Sequence, residues 1–168
     1  MKRRIIALAL CLMLAMGAAL AETAAGTKVF RLGTSVYTIQ IPESYVEGEL
    51  TEEDIADDMV AYMESPDSLL DFDVYQFGKE GYADKLADFA RAEAEEYNAT
   101  EVVTDGKVNG IDAAWYHAVE TYDDTAYTTL TYALEDGDQY VEIVFWLDGE
   151  NAEQEAQAII DTLTFVTR

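Results

Sequence analysis

The chain has 168 residues, with 34 acidic against 10 basic residues and a formal net charge of −24. Half of it is hydrophobic and 11% is aromatic, which excludes a disordered acidic chain. The charge excludes a nucleic-acid binder, whose phosphate contacts need Lys and Arg, and disfavours adsorption to anionic lipid.

The opening segment reads as an export signal. Lys2, Arg3 and Arg4 form a basic stretch, residues 5–14 an apolar one, and Ala19-Leu20-Ala21 the small-x-small pattern cleaved by a signal peptidase before Glu22. The uncharged run of residues 5–21 lies at the low edge of the ~20 residues a spanning helix needs. Its alanine-rich end favours cleavage over a retained anchor. Cys11 follows Leu10, not the small residue that a lipoprotein signal needs, so it counts as one more apolar residue. Cleavage removes the only cysteine, and the mature chain must then rely on its core without disulfides. It also leaves seven basic against 34 acidic residues, a net charge of −27. The expected plan is a signal peptide over 1–21, a polar leader over 22–27 and one domain over 28–168, in a secreted or extracytoplasmic bacterial protein.

In chain order, Val29-Phe30-Arg31-Leu32 and Tyr37-Thr38-Ile39-Gln40-Ile41 predict a strand pair ended by Pro42. Thr51 caps a short helix through Glu52, Glu53 and Asp54. Residues 59–63 and 69–77 predict a second strand pair across Ser65-Pro66-Asp67-Ser68. Residues 84–97 carry a helical stripe of Leu86, Phe89, Ala90, Ala94 and Tyr97. A last helix starts at Asn151, with Gln154 completing a capping box, and buries Ala152, Ala156, Ile159, Ile160 and Leu163.

Between these two helices the turns fix a register. Asn109-Gly110 sets Val108 opposite Ile111, Lys107 opposite Asp112 and Val102 opposite His117. Asp123-Asp124 pairs His117 with Leu130 and Trp115 with Tyr132; the turn over residues 136–139 pairs Tyr132 with Ile143 and Leu130 with Phe145. One face then collects Trp115, His117, Val119, Leu130, Tyr132, Leu134, Val141, Ile143 and Phe145, an apolar core face. The opposite face is mixed, with Tyr116, Tyr127, Thr129, Thr131, Tyr140, Glu142, Val144 and Trp146. The fold class is α/β of the α+β kind: one mainly antiparallel sheet with a C-terminal four-strand meander.

This order resembles the PsbP-like fold, in the form of small exported bacterial proteins related to DcrB. The resemblance rests on the strand ending Ile41-Pro42, Met59-Val60-Ala61-Tyr62, Asp71-Phe72-Asp73-Val74-Tyr75, Asn109-Gly110, Trp115-Tyr116, Asp136-Gly137-Asp138, Glu142-Ile143 and the closing helix. It implies helices packed on both faces of the sheet, and an accessory or binding role without a shared catalytic site.

The residues themselves offer little catalytic machinery. His117 is the only histidine and falls on the core face, where it is expected to be a hydrogen-bonded structural residue. The mature chain's four serines, Ser35, Ser44, Ser65 and Ser68, lie outside any nucleophile-elbow motif, and no Gly-rich phosphate loop occurs. No residue is assigned as catalytic, cofactor-binding or metal-binding, and no cofactor is expected. Asp71 and Asp73 on one strand face, Asp136-Gly137-Asp138, and Asp148-Gly149-Glu150-Asn151 offer oxygens to weak divalent cations such as calcium, but none matches a known calcium loop. A carboxylate-pair hydrolase is a further alternative, though so many acids make any spacing commonplace. The candidate binding face is Tyr116, Tyr127, Tyr140 and Trp146, suited to an unknown protein, peptide or glycan unless a helix covers it. The leading expectation is an exported, non-catalytic binding or accessory module.

The intact mass of the exported protein should correspond to a chain starting at Glu22. A species retaining Met1, or carrying lipid on Cys11, would contradict the soluble-secreted reading.

Overall fold

The computed structural model describes residues 26–122 and 125–166. The expected export signal with Cys11, the cleavage point before Glu22, most of the polar leader and the Asp123-Asp124 turn lie outside them. β1 (Thr27–Arg31) and β2 (Tyr37–Pro42) form the expected antiparallel pair, with Phe30 opposite Ile39. A two-residue strand at the far end of the chain, Thr164–Phe165, joins the other edge of β2 and completes a three-stranded sheet.

After β3 (Val46–Glu47), Thr51 caps α1 (Glu52–Ala56). The Asp54 N–H donates to the Thr51 hydroxyl at 3.2 Å, and the Thr51 N–H donates to the Asp54 carboxylate at 2.7 Å. Asp57 and Asp58 turn the chain out of this helix, Asp58 in the left-handed region at φ 64°. β4 (Met59–Glu64) and β5 (Leu70–Gly78) then pair antiparallel around a bulge between Met59 and Ala61.

α2 (Leu86–Glu96) precedes the meander of β6 (Thr100–Val108), β7 (Ile111–Tyr122), β8 (Thr125–Asp136) and β9 (Gln139–Leu147). The second sheet has seven strands in the order β3-β4-β5-β9-β8-β7-β6. β5 returns to lie along β9, from Leu70 opposite Leu147 to Gly78 opposite Gln139. Every strand pair described is antiparallel, and the whole is one sheet-dominated α+β domain.

The turn-derived register holds for β7, β8 and β9: His117 faces Leu130, Trp115 faces Tyr132, and Tyr132 faces Ile143. It holds for β6 only near Asn109-Gly110. Two bulges shift the strand, so Val103 faces Trp115 and Thr100, in place of Val102, faces His117. Glu101 takes φ 54° within the first irregularity. Within the second, Gly106 lies under the Trp115 ring, where a Cβ would come within 2.0 Å of the indole.

The core divides by strand alternation. Leu130, Tyr132, Leu134, Val141, Ile143 and Phe145 join Ile39, Ile41 and Phe72 in the largest cluster. To it α3 (Ala152–Ile160) contributes Ala152, Ala156, Ile159 and Ile160, with Leu163 just beyond. Its stripe and its start after Asn151 are as expected, but the capping box is not formed. Asn151 has φ −111° and ψ 6°, not an extended cap conformation, and its side chain caps no N–H. Val119, expected in this core, is 66% exposed because β7 runs beyond the cover of the cluster.

The alternate residues Ala114, Ala133 and Tyr140 pack with Leu86, Phe89 and Ala90 of α2. Ala94 packs on Tyr116 and Ala118. Tyr97, expected on the same stripe, sits at the helix C-cap, where 42% of it stays exposed. Phe89 stacks on Tyr140 at 4.1 Å between centroids with planes 9° apart.

Phe89→Ala should therefore lower stability by about 3–5 kcal/mol in urea denaturation, through loss of buried area and the cavity left over Tyr140. A change under about 1 kcal/mol would show that α2 is not anchored there.

Candidate functional site

α2 packs toward Ala114, Ala133 and Tyr140 and leaves part of the same sheet face open beside β5 and β9. A cavity of about 280 Å³ occupies that gap. Its floor is Tyr116, Thr131, Glu142 and Val144, from three neighbouring strands. Thr131 stands opposite both Tyr116 and Val144, and Tyr75 of β5 opposite Glu142, so pairing alone gathers these side chains. Glu93 and Tyr97 descend from α2, Glu120 comes from β7, and Asp57, Asp58 and Tyr82 stand at the exposed rim.

Glu142 is the unusual member. Only 6% of it is exposed, and its Oε1 has no hydrogen-bond partner among the described residues. Burial pushes its carboxyl up to about 8, and the carboxylates of Glu93 and Glu120 push it the same way. Burial also raises Glu93, with Glu96 adding to it. Glu120 is raised by burial too, against the opposing effect of the Thr129 hydroxyl, which donates to it at 2.9 Å. Burial raises the phenols of Tyr75 and Tyr116 and pushes Tyr97 up to about 12, nearby carboxylates adding to each. The lining contains no lysine, arginine or histidine.

The candidate face of aromatic residues is divided by this arrangement. Tyr140 is buried beneath Phe89, and its hydroxyl donates to the Ala83 carbonyl at 2.5 Å. Tyr116 is buried in the cavity floor. Tyr127 and Trp146 remain half-buried and meet edge-to-face at 5.9 Å. The Trp146 indole N–H donates to Asp73 at 2.7 Å.

Asp71 accepts from the Ser65 N–H at 2.7 Å and Asp136 from the Val36 N–H at 3.0 Å, so these acids serve local structure. Among the described residues no group of three or more His, Cys, Asp or Glu is placed to hold a metal ion. His117 lies away from the cavity, with Nδ1 3.5 Å from Glu101 and Nε2 3.4 Å from Glu153. The expected hydrogen bond is absent at Nδ1, which is buried with no hydrogen-bond partner among the described residues. Sequence reasoning placed Glu142 on the mixed face but missed its burial. The available signal was a lone acid between Val141 and Ile143 in a strand otherwise apolar at its centre.

Comparison with solved structures shows that the fold is PsbP-like. The cyanobacterial PsbP of Synechocystis sp. PCC 6803 superposes with a TM-score of 0.59 at 7% identity, over 88% of this chain and 96% of that one. A protein from Bacteroides thetaiotaomicron superposes with a TM-score of 0.59 at 22% identity, over 85% of this chain. The match spans only 50% of the Bacteroides chain. No protein-family model and no curated protein matches the sequence. Among the described residues, no helix is long and apolar enough to cross a membrane.

The buried acid makes stability depend on pH with a definite sign. The folded state holds the Glu142 proton up to about 8, whereas the unfolded chain releases it near 4.5. Stability present below the lower value is therefore lost as pH rises to the upper one. Asp73, pushed up to about 6 by burial despite the Trp146 hydrogen bond, adds a loss from 3.8 upward. Glu142→Gln should leave stability near pH 4 almost unchanged and raise it by a few kcal/mol above pH 8, at ~1.4 kcal/mol for each pH unit separating the folded and unfolded values. Paired urea titrations across that range check it; parallel curves for the two proteins would refute the assignment.

Proposed function

We propose that the chain is an exported, non-catalytic binding or accessory module that works through the Glu142 cavity. The observation that carries this reading is the buried carboxyl of Glu142, unpartnered at Oε1 and lining an open cavity with tyrosines and further acids. An unmatched buried acceptor costs roughly 1–3 kcal/mol, a cost that an incoming donor removes. α2 and α3 cover opposite faces of the seven-stranded sheet in this reading, and the cavity is the part of one face that α2 leaves open. Its size lies near the lower end of the roughly 300–1,000 Å³ usual for ligand sites, so the occupant is a small molecule or one side chain of a partner. The lining holds no serine, cysteine or histidine, so it supplies no member of a Ser-His or Cys-His nucleophile–base pair.

Export through a cleaved signal over residues 1–21 completes the proposal, and the low-edge length of the apolar run supports release over anchoring. One observation favours a second reading, a carboxylate-pair hydrolase. Glu142 retains its proton near neutrality beside Glu120 and Glu93, whose upward shifts are smaller, and such divergence is the pattern of an acid and a base.

Val144→Trp fills the cavity floor and separates binding from bystander effects. After incubation with an envelope extract of the source organism, the native protein should retain a bound molecule in native mass spectrometry, and Val144→Trp should lose it. Steady release of product from chromogenic glycosides, abolished by Glu142→Gln, would establish the hydrolase in its place.

A further inference from the structure

We propose that the cavity receives a primary alkylammonium group, its N–H donors directed at the Glu142 carboxylate and its methylenes lying against the tyrosine walls. This rests on the reading of the cavity as a binding site and specifies its ligand.

Charge selects a cation. Facing Glu142 are Glu93 and Tyr97 from α2, Tyr75 from β5, and Tyr116 and Glu120 from β7, with Asp57 and Asp58 at the rim following α1. Every ionisable group in this set is an acid or a phenol. An anion meets repulsion from all sides, and a neutral ligand leaves the carboxylates uncompensated. The formal net charge of −24 also draws cations toward the surface.

Hydrogen bonding and ring chemistry select among cations. The free Oε1 of Glu142 needs a donor. A quaternary ammonium has none, whereas a primary ammonium has three and no acceptor. Calcium takes 6–8 oxygens, and the described residues assemble no cluster suited to a metal. Tyrosine faces attract ammonium groups through their ring quadrupole. The fold already seats one such group: Lys79 Nζ lies 5.0 Å from the centre of the Tyr140 ring and 2.5 Å from the Glu135 carboxylate. The cavity repeats that combination of ring and carboxylate without a cation of its own.

An arriving ammonium favours the ionised carboxylate, so binding expels the Glu142 proton and tightens as pH rises toward the amine's own pKa. The same chemistry is borne by a free alkylamine and by a lysine side chain of a partner protein.

Calorimetry and NMR titration with n-butylammonium, n-butanol, butyrate and calcium at matched ionic strength test the proposal. n-Butylammonium should bind saturably and shift the Glu142, Tyr97 and Tyr116 resonances, roughly fiftyfold more tightly near pH 8 than near pH 6. Butanol and butyrate should not bind. Glu142→Gln, verified as folded by its melting curve, should weaken binding at least about tenfold and abolish the pH dependence. Glu93→Gln should weaken it less. An acetylated tripeptide with central lysine binding better than n-butylammonium would identify a partner's side chain as the source; the reverse order would identify a free amine. Butanol binding as well as n-butylammonium would overturn the ammonium proposal while leaving the cavity a binding site. Saturable calcium binding that excludes the amine would also overturn it. Amine binding unaffected by Glu142→Gln would reduce the effect to surface attraction and overturn it as well. Failure of every probe, together with no bound molecule in the native mass spectra, would remove both readings.

Discussion

The arrangement of the whole molecule depends on β8 being paired along both edges. β7 holds it from Thr125 to Leu134 and β9 from Thr128 to Asp136, so neither neighbour can slip without moving the other. Because side chains alternate, that one constraint sends Leu130, Tyr132 and Leu134 to the large core. It sends Thr131 to the cavity floor and Ala133 beneath α2. The cavity is thus a by-product of register and of one helix's placement. Small residues, Ala114 and Ala133, let α2 approach the sheet closely on one side. Tyrosines and a glutamate on the strands beyond its reach keep the remaining surface open.

Much of this was legible in the sequence where local chemistry decided it. Asp123-Asp124 and the turn over residues 136–139 sufficed for the register of β7, β8 and β9, Asn109-Gly110 only for the β6 pairs nearest it, and Thr51 with Asp54 for a helix start. The misses occurred where tertiary contacts overrode local signals. The second bulge of β6 ends at Gly106, where the Trp115 ring leaves no room for a side chain, a contact across strands that no local pattern reveals. Asn151 had the right residue type for a cap but not the backbone conformation.

The cavity was legible only in part. Tyr116 and Tyr140 were placed on the correct face, yet Tyr140 lies under Phe89 whereas Tyr116 meets only Ala94 of α2 in its cluster and lines the cavity. The burial of Glu142 depends on β5 returning beside β9, a pairing between segments more than sixty residues apart, as Tyr75 opposite Glu142 shows. In a chain with 34 acids, no single one stands out by sequence. Burial without a hydrogen-bond partner at Oε1 distinguishes Glu142, for Asp73 is equally buried but accepts from Trp146. The same abundance argues that Glu142 is kept at a thermodynamic cost, since an apolar residue at that strand position would remove the penalty.

The irregular β6 has a bearing on how other chains meet this one. It is an outer strand of the seven-stranded sheet, and β3 at the opposite border is two residues long. A straight border would present a row of free N–H and C=O groups, a template for a foreign strand. Two bulges within Thr100–Val108 interrupt that row, and Glu101, Asp105 and Lys107 add exposed charges along it. A second copy therefore finds no continuous ladder to extend along β6. Strand addition is disfavoured at both borders of the seven-stranded sheet.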